Sequence, residues 1–293
     1  MQKQFVQKWG VAAFLIAFSS LPLCAASYHT LKVPSSVQDA AYGISNNAEI
    51  VGYYGPQSGG ILGFLFNNGH YSNLQFPGAP WTYAYGINSS EEIVGSYHLQ
   101  SGNENDRGYI YKGGKYSKLE YPGSSWTDLF GVNDKGEIVG VYRDSQNYEQ
   151  GFKYSNGVFT KIHVPGARAT VPMGINTQGD IAGCYYSLHL QKSWGFVMRN
   201  GKITTINYPA TQGVTCVNGI NDQGQLVGVY TNSPVQQVDG FVWTAGKFEH
   251  LRYPGAQETH PQAIDKQGRI VGWYGVPNGL GGLQTWGFTL QLP

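Results

Sequence analysis

Charge is scarce in this 293-residue chain: Asp, Glu, Lys and Arg together make up 13%. The 19 basic and 18 acidic residues nearly cancel, so no basic surface is expected of the kind that nucleic acid or an anionic membrane selects. There is no CxxC pair and no HExxH. The seven histidines, His29, His70, His98, His163, His189, His250 and His260, share no spacing. No metal centre is expected from that pattern. A GxSxG elbow and a phosphate-binding P-loop are missing too, and no cofactor is expected. Beyond the first two dozen residues, no apolar run is long enough to cross a bilayer.

The start of the chain has its own character. Lys3 and Lys8 precede the apolar run VAAFLIAFSSLPL, and small residues follow in CAAS. This order predicts a signal peptide over residues 1–26, cleaved after Ala26. A lipid anchor on Cys24 is disfavoured, because Leu23 stands where a small residue is wanted. The mature segment would then be 27–293, secreted or periplasmic, with no membrane insertion after cleavage. It keeps two cysteines, Cys184 and Cys216. In an exported protein they are a candidate disulfide; the alternative is two buried free thiols.

Glycine (41 residues) and tyrosine (21) are abundant, a composition that suits short strands and tight turns. The stretch GINDQGQLVGVY has five close copies along the chain. The markers Gly43, Gly86, Gly131, Gly174, Gly219 and Ala263 recur every 43 to 45 residues. That period accommodates four strands, A to D. In one unit they are expected over Ala84–Asn88, Glu92–Tyr97, Gly108–Lys112 and Lys115–Pro122. The C–D turns (Asn68-Gly69, Gly113-Gly114, Asn156-Gly157, Asn200-Gly201) favour two-residue hairpins. In the A–B turns, Ala48 and Glu91 replace a glycine that suits the left-handed conformation, so strain or a different shape is expected there. Strand D ends at Pro34, Pro77, Pro122, Pro165, Pro209 and Pro254, where proline would suit an outer edge. Its sixth copy, YHTLKVP, lies ahead of the first A strand, and the last unit has none. The simplest solution is all-β: a single six-bladed β-propeller of four-stranded blades, closed when the N-terminal strand joins the C-terminal three. An open solenoid is the alternative.

The pattern GINxxGxIVGxY followed by GFxYxxGxxxxLxxPGAxxT resembles the bacterial extracellular repeat proteins of the HAF family across nearly the whole mature segment. Where that family's name-giving HAF stands, this chain has Gly-Phe or Gly-Tyr, as at Gly151-Phe152. The resemblance implies export and tandem repeats, and it implies no activity.

Residues that recur at one slot read as frame. Ile50, Ile93, Ile138, Ile181, Leu226 and Ile270 are expected in the core. Gly52, Gly140 and their equivalents are expected to let blades approach closely. Tyr54, Tyr97, Tyr142, Tyr185, Tyr230 and Tyr274 are expected to pack between blades rather than form stacking platforms. Binding groups belong where the repeats differ, in the B–C and D–A loops that share one face. Trp81 and Trp126 stand there, before Thr82 and Thr127. Tyr83, Asp128 and His260 occupy equivalent slots where the innermost strand begins. His98 and Arg143 lie just past strand B, and Trp194 and Trp286 just before strand C. These nine are the candidate ligand-binding residues.

The expectation is an exported binding protein, monomeric, that recognises a glycan or a protein through its loop-rich face. A polysaccharide-active hydrolase or lyase is the first alternative. Glu104, Asp106, Asp128, Asp144, Glu149, Asp239 and Glu258 are available to it, with the site at the central opening. A structural component of the envelope is the second. Catalytic residues are not legible in the sequence.

Overall fold

A computed structural model of the chain describes residues 27–100, 105–187, 192–209, 213–232 and 237–292. The expected signal peptide, Glu104 and His189 lie outside the described residues. Strand β1 (Ser27–Leu31) comes first in the chain but joins no neighbour in sequence. Blade 1 is β2 (Ser36–Ile44), β3 (Ile50–Pro56), β4 (Leu62–Asn67) and β5 (His70–Leu74). Blade 2 is β6 (Trp81–Ile87), β7 (Ile93–His98), β8 (Arg107–Lys112) and β9 (Lys115–Lys118). Blade 3 is β10 (Thr127–Val132), β11 (Ile138–Arg143), β12 (Glu149–Ser155) and β13 (Val158–Ile162). Blade 4 is β14 (Ala167–Ile175), β15 (Ile181–Ser187), β16 (Ser193–Arg199) and β17 (Lys202–Ile206). Blade 5 is β18 (Thr215–Ile220), β19 (Leu226–Asn232), β20 (Gln237–Thr244) and β21 (Lys247–Leu251). Blade 6 is β22 (Glu258–Ile264), β23 (Arg269–Pro277) and β24 (Leu283–Gln291), and β1 pairs antiparallel with β24 to complete it. The chain is a six-bladed β-propeller closed by its own first strand.

Closure is held by a residue that breaks the repeat. In five connectors, a threonine hydroxyl accepts the amide of a residue six or seven positions earlier: Phe76 to Thr82, Tyr121 to Thr127, Val164 to Thr170, Tyr208 to Thr215 and Tyr253 to Thr259. Asp39 takes that slot in blade 1. Its carboxylate accepts the Val33 amide at 3.0 Å, the Ser36 hydroxyl at 2.9 Å and the Gly287 amide of β24 at 2.7 Å. A carboxylate reaches three donors where a hydroxyl reaches one, so it ties both chain ends to blade 1.

The prolines begin the connectors rather than end the strands: β5 stops at Leu74 and β9 at Lys118, short of Pro77 and Pro122. Pro-Gly there forms a tight turn, with Gly78 at φ 79° and Ala79 donating to the Phe76 carbonyl at 2.9 Å. The C–D turns take the expected shape, as at Asn68 (φ 49°) and Gly69 (φ 83°). Ala48 (φ 70°) and Glu91 (φ 55°) keep the shape of the glycine-containing turns, so the cost appears as strain.

Each A–B turn is built on a polar residue, and in four of the six it is an asparagine that works twice. Asn133 Oδ1 accepts the amides of Lys135 and Glu137, both at 3.0 Å. Its Nδ2 donates to the Asn176 carbonyl of the next blade at 2.9 Å. Asn88, Asn176 and Asn221 repeat the clip. The tight-turn face is therefore a chain of blade-to-blade hydrogen bonds.

The core lies between blades. Ile93, Ile181, Leu226 and Ile270 are fully buried, each contributing about 1.5–3 kcal/mol. The recurring tyrosines pack, as expected: Tyr97 stacks on Phe76 at 3.7 Å and Tyr142 on Tyr121 at 3.6 Å. Three of the hydroxyls reach outer strands, Tyr54 to Asn73 at 2.9 Å, Tyr185 to Thr205 at 3.1 Å and Tyr274 to Thr30 at 3.2 Å, whereas that of Tyr97 is buried without a partner. The glycines divide differently from expectation. Close blade approach belongs to the markers in strand A: a Cβ on Gly86 would stand 2.7 Å from the Phe130 carbonyl and 3.2 Å from Gly131 Cα. Gly52 and Gly140 are needed within their own blades, where a Cβ would strike strand A's carbonyl and the ring of Phe64 or Phe152.

Candidate functional site

Strand A carries one extra residue in every blade. The A–B register slips just before each marker, between Ala41 and Gly43, Ala84 and Gly86, and so on around the ring. A bulge of this kind re-aims the inserted side chain. Tyr42, Tyr85, Phe130, Met173, Asn218 and Gln262 consequently line the axial channel.

Three residues before each marker, strand A faces strand B of its own blade through the pairs Ala40↔Tyr53, Tyr83↔Ser96, Asp128↔Val141, Val171↔Cys184, Cys216↔Val229 and His260↔Trp273. Contacts also run between blades. Tyr53 of blade 1 meets Tyr83 of blade 2 edge-on at 5.0 Å. Ser96 of blade 2 is a polar neighbour of Asp128 in blade 3. Cys184 of blade 4 is joined by a disulfide to Cys216 of blade 5, Cα to Cα 4.9 Å.

This layer is polar and aromatic over one arc, from blade 6 through blades 1 and 2 to blade 3. His260 stacks on Trp273 at 3.6 Å and bonds Glu258 at 3.1 Å. The Tyr42 and Tyr53 hydroxyls meet at 3.3 Å. Tyr83 lies 5.9 Å from the His98 ring, which also packs on Trp81 at 4.9 Å. His98 Nδ1 is 2.7 Å from the Asp106 carboxylate. Arg143 lies over Trp126 at 4.6 Å, beside Asp128.

Asp128 is the chemical centre of the arc. It is 6% exposed, and its carboxyl is pushed up to about 8. Burial is the main cause, and the charges of Asp106 and Glu149 add to it. Ser96 and Arg143 pull the other way, by less. Asp128 Oδ1, Ser96 Oγ and Trp273 Nε1 are buried without a completed hydrogen bond in the protein. Burial also lowers His260, against the opposing pull of Glu258, so its imidazole is neutral near pH 7. Tyr85 and Tyr42 are held well above the usual tyrosine range by burial. At neutral pH the arc thus presents a carboxylic acid, a neutral imidazole and phenol groups. The acid and the phenols can donate hydrogen bonds, the imidazole, whose N–H is held by Glu258, can accept one at Nδ1, and Trp81, Tyr83 and Trp273 supply ring faces beside them.

Of the nine candidates, the structure brings Trp81, Tyr83, His98, Asp128 and His260 into this arc. Trp126 is buried, its carbonyl accepting from the Ser124 hydroxyl at 2.7 Å, and it supports Arg143 from behind. Trp194, 5.6 Å from Tyr185, and Trp286, under the Lys32 ammonium at 4.0 Å, stand on third strands away from the axis and do not join the cluster. Tyr42, Tyr53, Tyr85, Ser96 and Trp273 were not among the candidates. The cysteines hold the signal for three of them: Cys184 sits in the slot of Tyr53, Ser96 and Trp273, and Cys216 in that of Asp128 and His260. Among the described residues no group of three His, Cys, Asp or Glu is arranged to hold a metal ion.

No family model matches the chain, and no curated protein matches it. Solved structures share the architecture. A protein of unknown function from Dyadobacter fermentans superimposes with a TM-score of 0.56 at 10% identity, over 91% of this chain and 98% of that one. AofleA from Arthrobotrys oligospora gives 0.55 at 11% identity, over 89% and 85%. A gluconolactonase from Xanthomonas campestris gives 0.53 at 14% identity, over 92% and 91%. At such identities the likeness is one of fold alone.

Proposed function

We propose that this propeller is an exported glycan-binding protein whose site is the polar arc at the loop-face end of the channel. The observation that carries the reading is the concentration of half-buried rings (Trp81, Tyr83, Trp273) with a hydrogen-bond donor (protonated Asp128) and an acceptor (Nδ1 of neutral His260) on one arc of a symmetric frame. A sugar offers an apolar ring face and a fringe of hydroxyls, which is the complement of that surface. A protein partner would call for a broad apolar patch, and among the described residues the strongly exposed leucines, Leu99 and Leu280, stand on loops of different blades. The lysine-flanked apolar start of the chain supports export.

The test is a thermal-shift screen of the protein against cell-wall and plant polysaccharide fragments. A native-state ligand at a hundredfold excess over its Kd adds about 2.7 kcal/mol of stability. A shift with one sugar class, abolished in Trp81→Ala, supports the site. A flat response across the panel sinks it.

A second reading has its own observation. The charge of Asp106 helps to keep the proton on buried Asp128, and a protonated carboxyl near a second acid is equipment that glycoside cleavage uses. Release of reducing or unsaturated ends from a bound polysaccharide, lost in Asp128→Asn with affinity retained, would move the protein from binder to enzyme.

A further inference from the structure

The tight-turn face carries a feature that the frame does not explain. Between blades 4 and 5 lies a groove of 420 Å³, lined by Gln178, Asp180, Arg199, Asp222, Trp243 and Ala245 among others. That volume falls within the range of small-ligand sites, about 300–1,000 Å³. The two axial cavities, 60 and 90 Å³, and the pocket beside His98, 230 Å³, fall below it.

The residues there depart from their counterparts in the other blades. Trp243 stands where the repeats have Phe66, Tyr111, Tyr154, Met198 and Leu290, and it is half-buried with its remaining surface in the groove. Arg199 takes the slot of Asn67, Lys112 and Ser155. At the first position of the C–D turn, the described turns have Asn or Gly, but blade 5 has Ala245 at φ 49°. Alanine tolerates that conformation less well than either. The short side chain leaves the rim beside Trp243 open, and strain kept at a rim is a pointer to function.

The electrostatics select the ligand. Arg199 Nε is paired with Asp180 at 3.1 Å, which cancels both charges. Asp222 already accepts the Thr177 amide at 2.8 Å and hydroxyl at 3.2 Å. No unpaired cation is left for a uronate or a phosphate, and Asp222 would repel either. Arg199 Nη2 donates to the Gly224 carbonyl at 3.5 Å, so the exposed Gln178 amide and Arg199 Nη1 remain to meet hydroxyls beside the Trp243 ring. We infer that this groove is a second saccharide site, on the face opposite the polar arc, and that it takes the uncharged pyranose units of a glycan chain.

The inference stands apart from the reading of the loop face, and the experiment separates them. Cellotetraose, xylotetraose and maltotetraose are titrated calorimetrically into the protein and into Gln178→Ala, Trp243→Phe and Trp81→Ala. Gln178 is exposed, so its truncation leaves the fold intact, and Trp243→Phe preserves the buried part of the ring. At least one tetrasaccharide is expected to bind with an affinity that falls about fivefold in Gln178→Ala and further in Trp243→Phe, while Trp81→Ala leaves it unchanged. Absence of binding by all three sugars, or binding indifferent to both groove variants, overturns the inference. Binding abolished by Trp81→Ala alone overturns it and leaves the loop-face site standing.

Discussion

The same pair of slots is filled in two opposed ways on the two sides of this ring. Between blades 2 and 3 it holds Ser96 and Asp128, a buried polar pair with open hydrogen-bonding capacity. Between blades 4 and 5 it holds Cys184 and Cys216, a covalent bond. In both junctions the two residues are 32 positions apart. The backbone frame is common to both, so the difference belongs to side chains alone. One arc is cross-linked, while the other carries a buried acid that costs stability. A buried acid in one copy of a slot that holds a disulfide in another is what supports the site proposed at that arc.

Copying the cross-linked junction into the polar one has the largest expected effect. Ser96→Cys with Asp128→Cys is expected to form a disulfide spontaneously, leaving no free thiol by titration. It should gain about 3 kcal/mol or more in urea unfolding, from the closed loop and the removal of the acid. Sugar binding at the loop face should be lost with it. Conversely, Cys184→Ser with Cys216→Ser should cost about 3 kcal/mol and leave that binding unchanged, since the cysteines belong to the frame.

Asp128→Asn sharpens the contrast through pH. Native Asp128 holds its proton up to about 8, whereas in the unfolded chain it ionises near 4. Between those values folding takes up a proton, so wild-type stability falls as pH rises, by at most about 1.4 kcal/mol per unit. Below about 4 both states are protonated, and above about 8 both are ionised, so the cost is constant at either end. The variant should therefore overtake wild type as pH rises from 5 to 8, as measured by urea unfolding at each pH. Parallel curves would mean that the arc does not hold the acid neutral. The smallest effect is a control on the shared frame. Ala48→Gly should stabilise by about 1 kcal/mol or less by relieving the left-handed strain, and binding should not change.

The frame was legible because it is written six times, and a strand out of place at Tyr28 announced the closure. The site was legible only in part. Tyr83, Asp128 and His260 could be aligned, because three residues before a marker is a countable position. Tyr42 and Tyr85 could not. A one-residue bulge turns them toward the axis, and a bulge leaves no trace in a pattern that repeats it in every blade. The prolines and strand-B glycines are countable in the sequence but not their roles: the prolines open the connectors after the outer strands, and the glycines clear a carbonyl and a ring of their own blade. Trp194 and Trp286 look identical to Trp81 as loop-flanking tryptophans, and only the distance of the third strand from the axis separates them.

The protonated carboxyl of Asp128 at neutral pH is the claim on which the polar arc rests. Its direct test is a carbon-detected NMR titration of the aspartate side-chain carboxyls, with the Asp128 signal assigned through Asp128→Asn. A midpoint near 8 is the result expected here. A midpoint near 4 would show an ordinary ionised surface-type aspartate, and the case for a functional arc at blades 6, 1, 2 and 3 would fall with it.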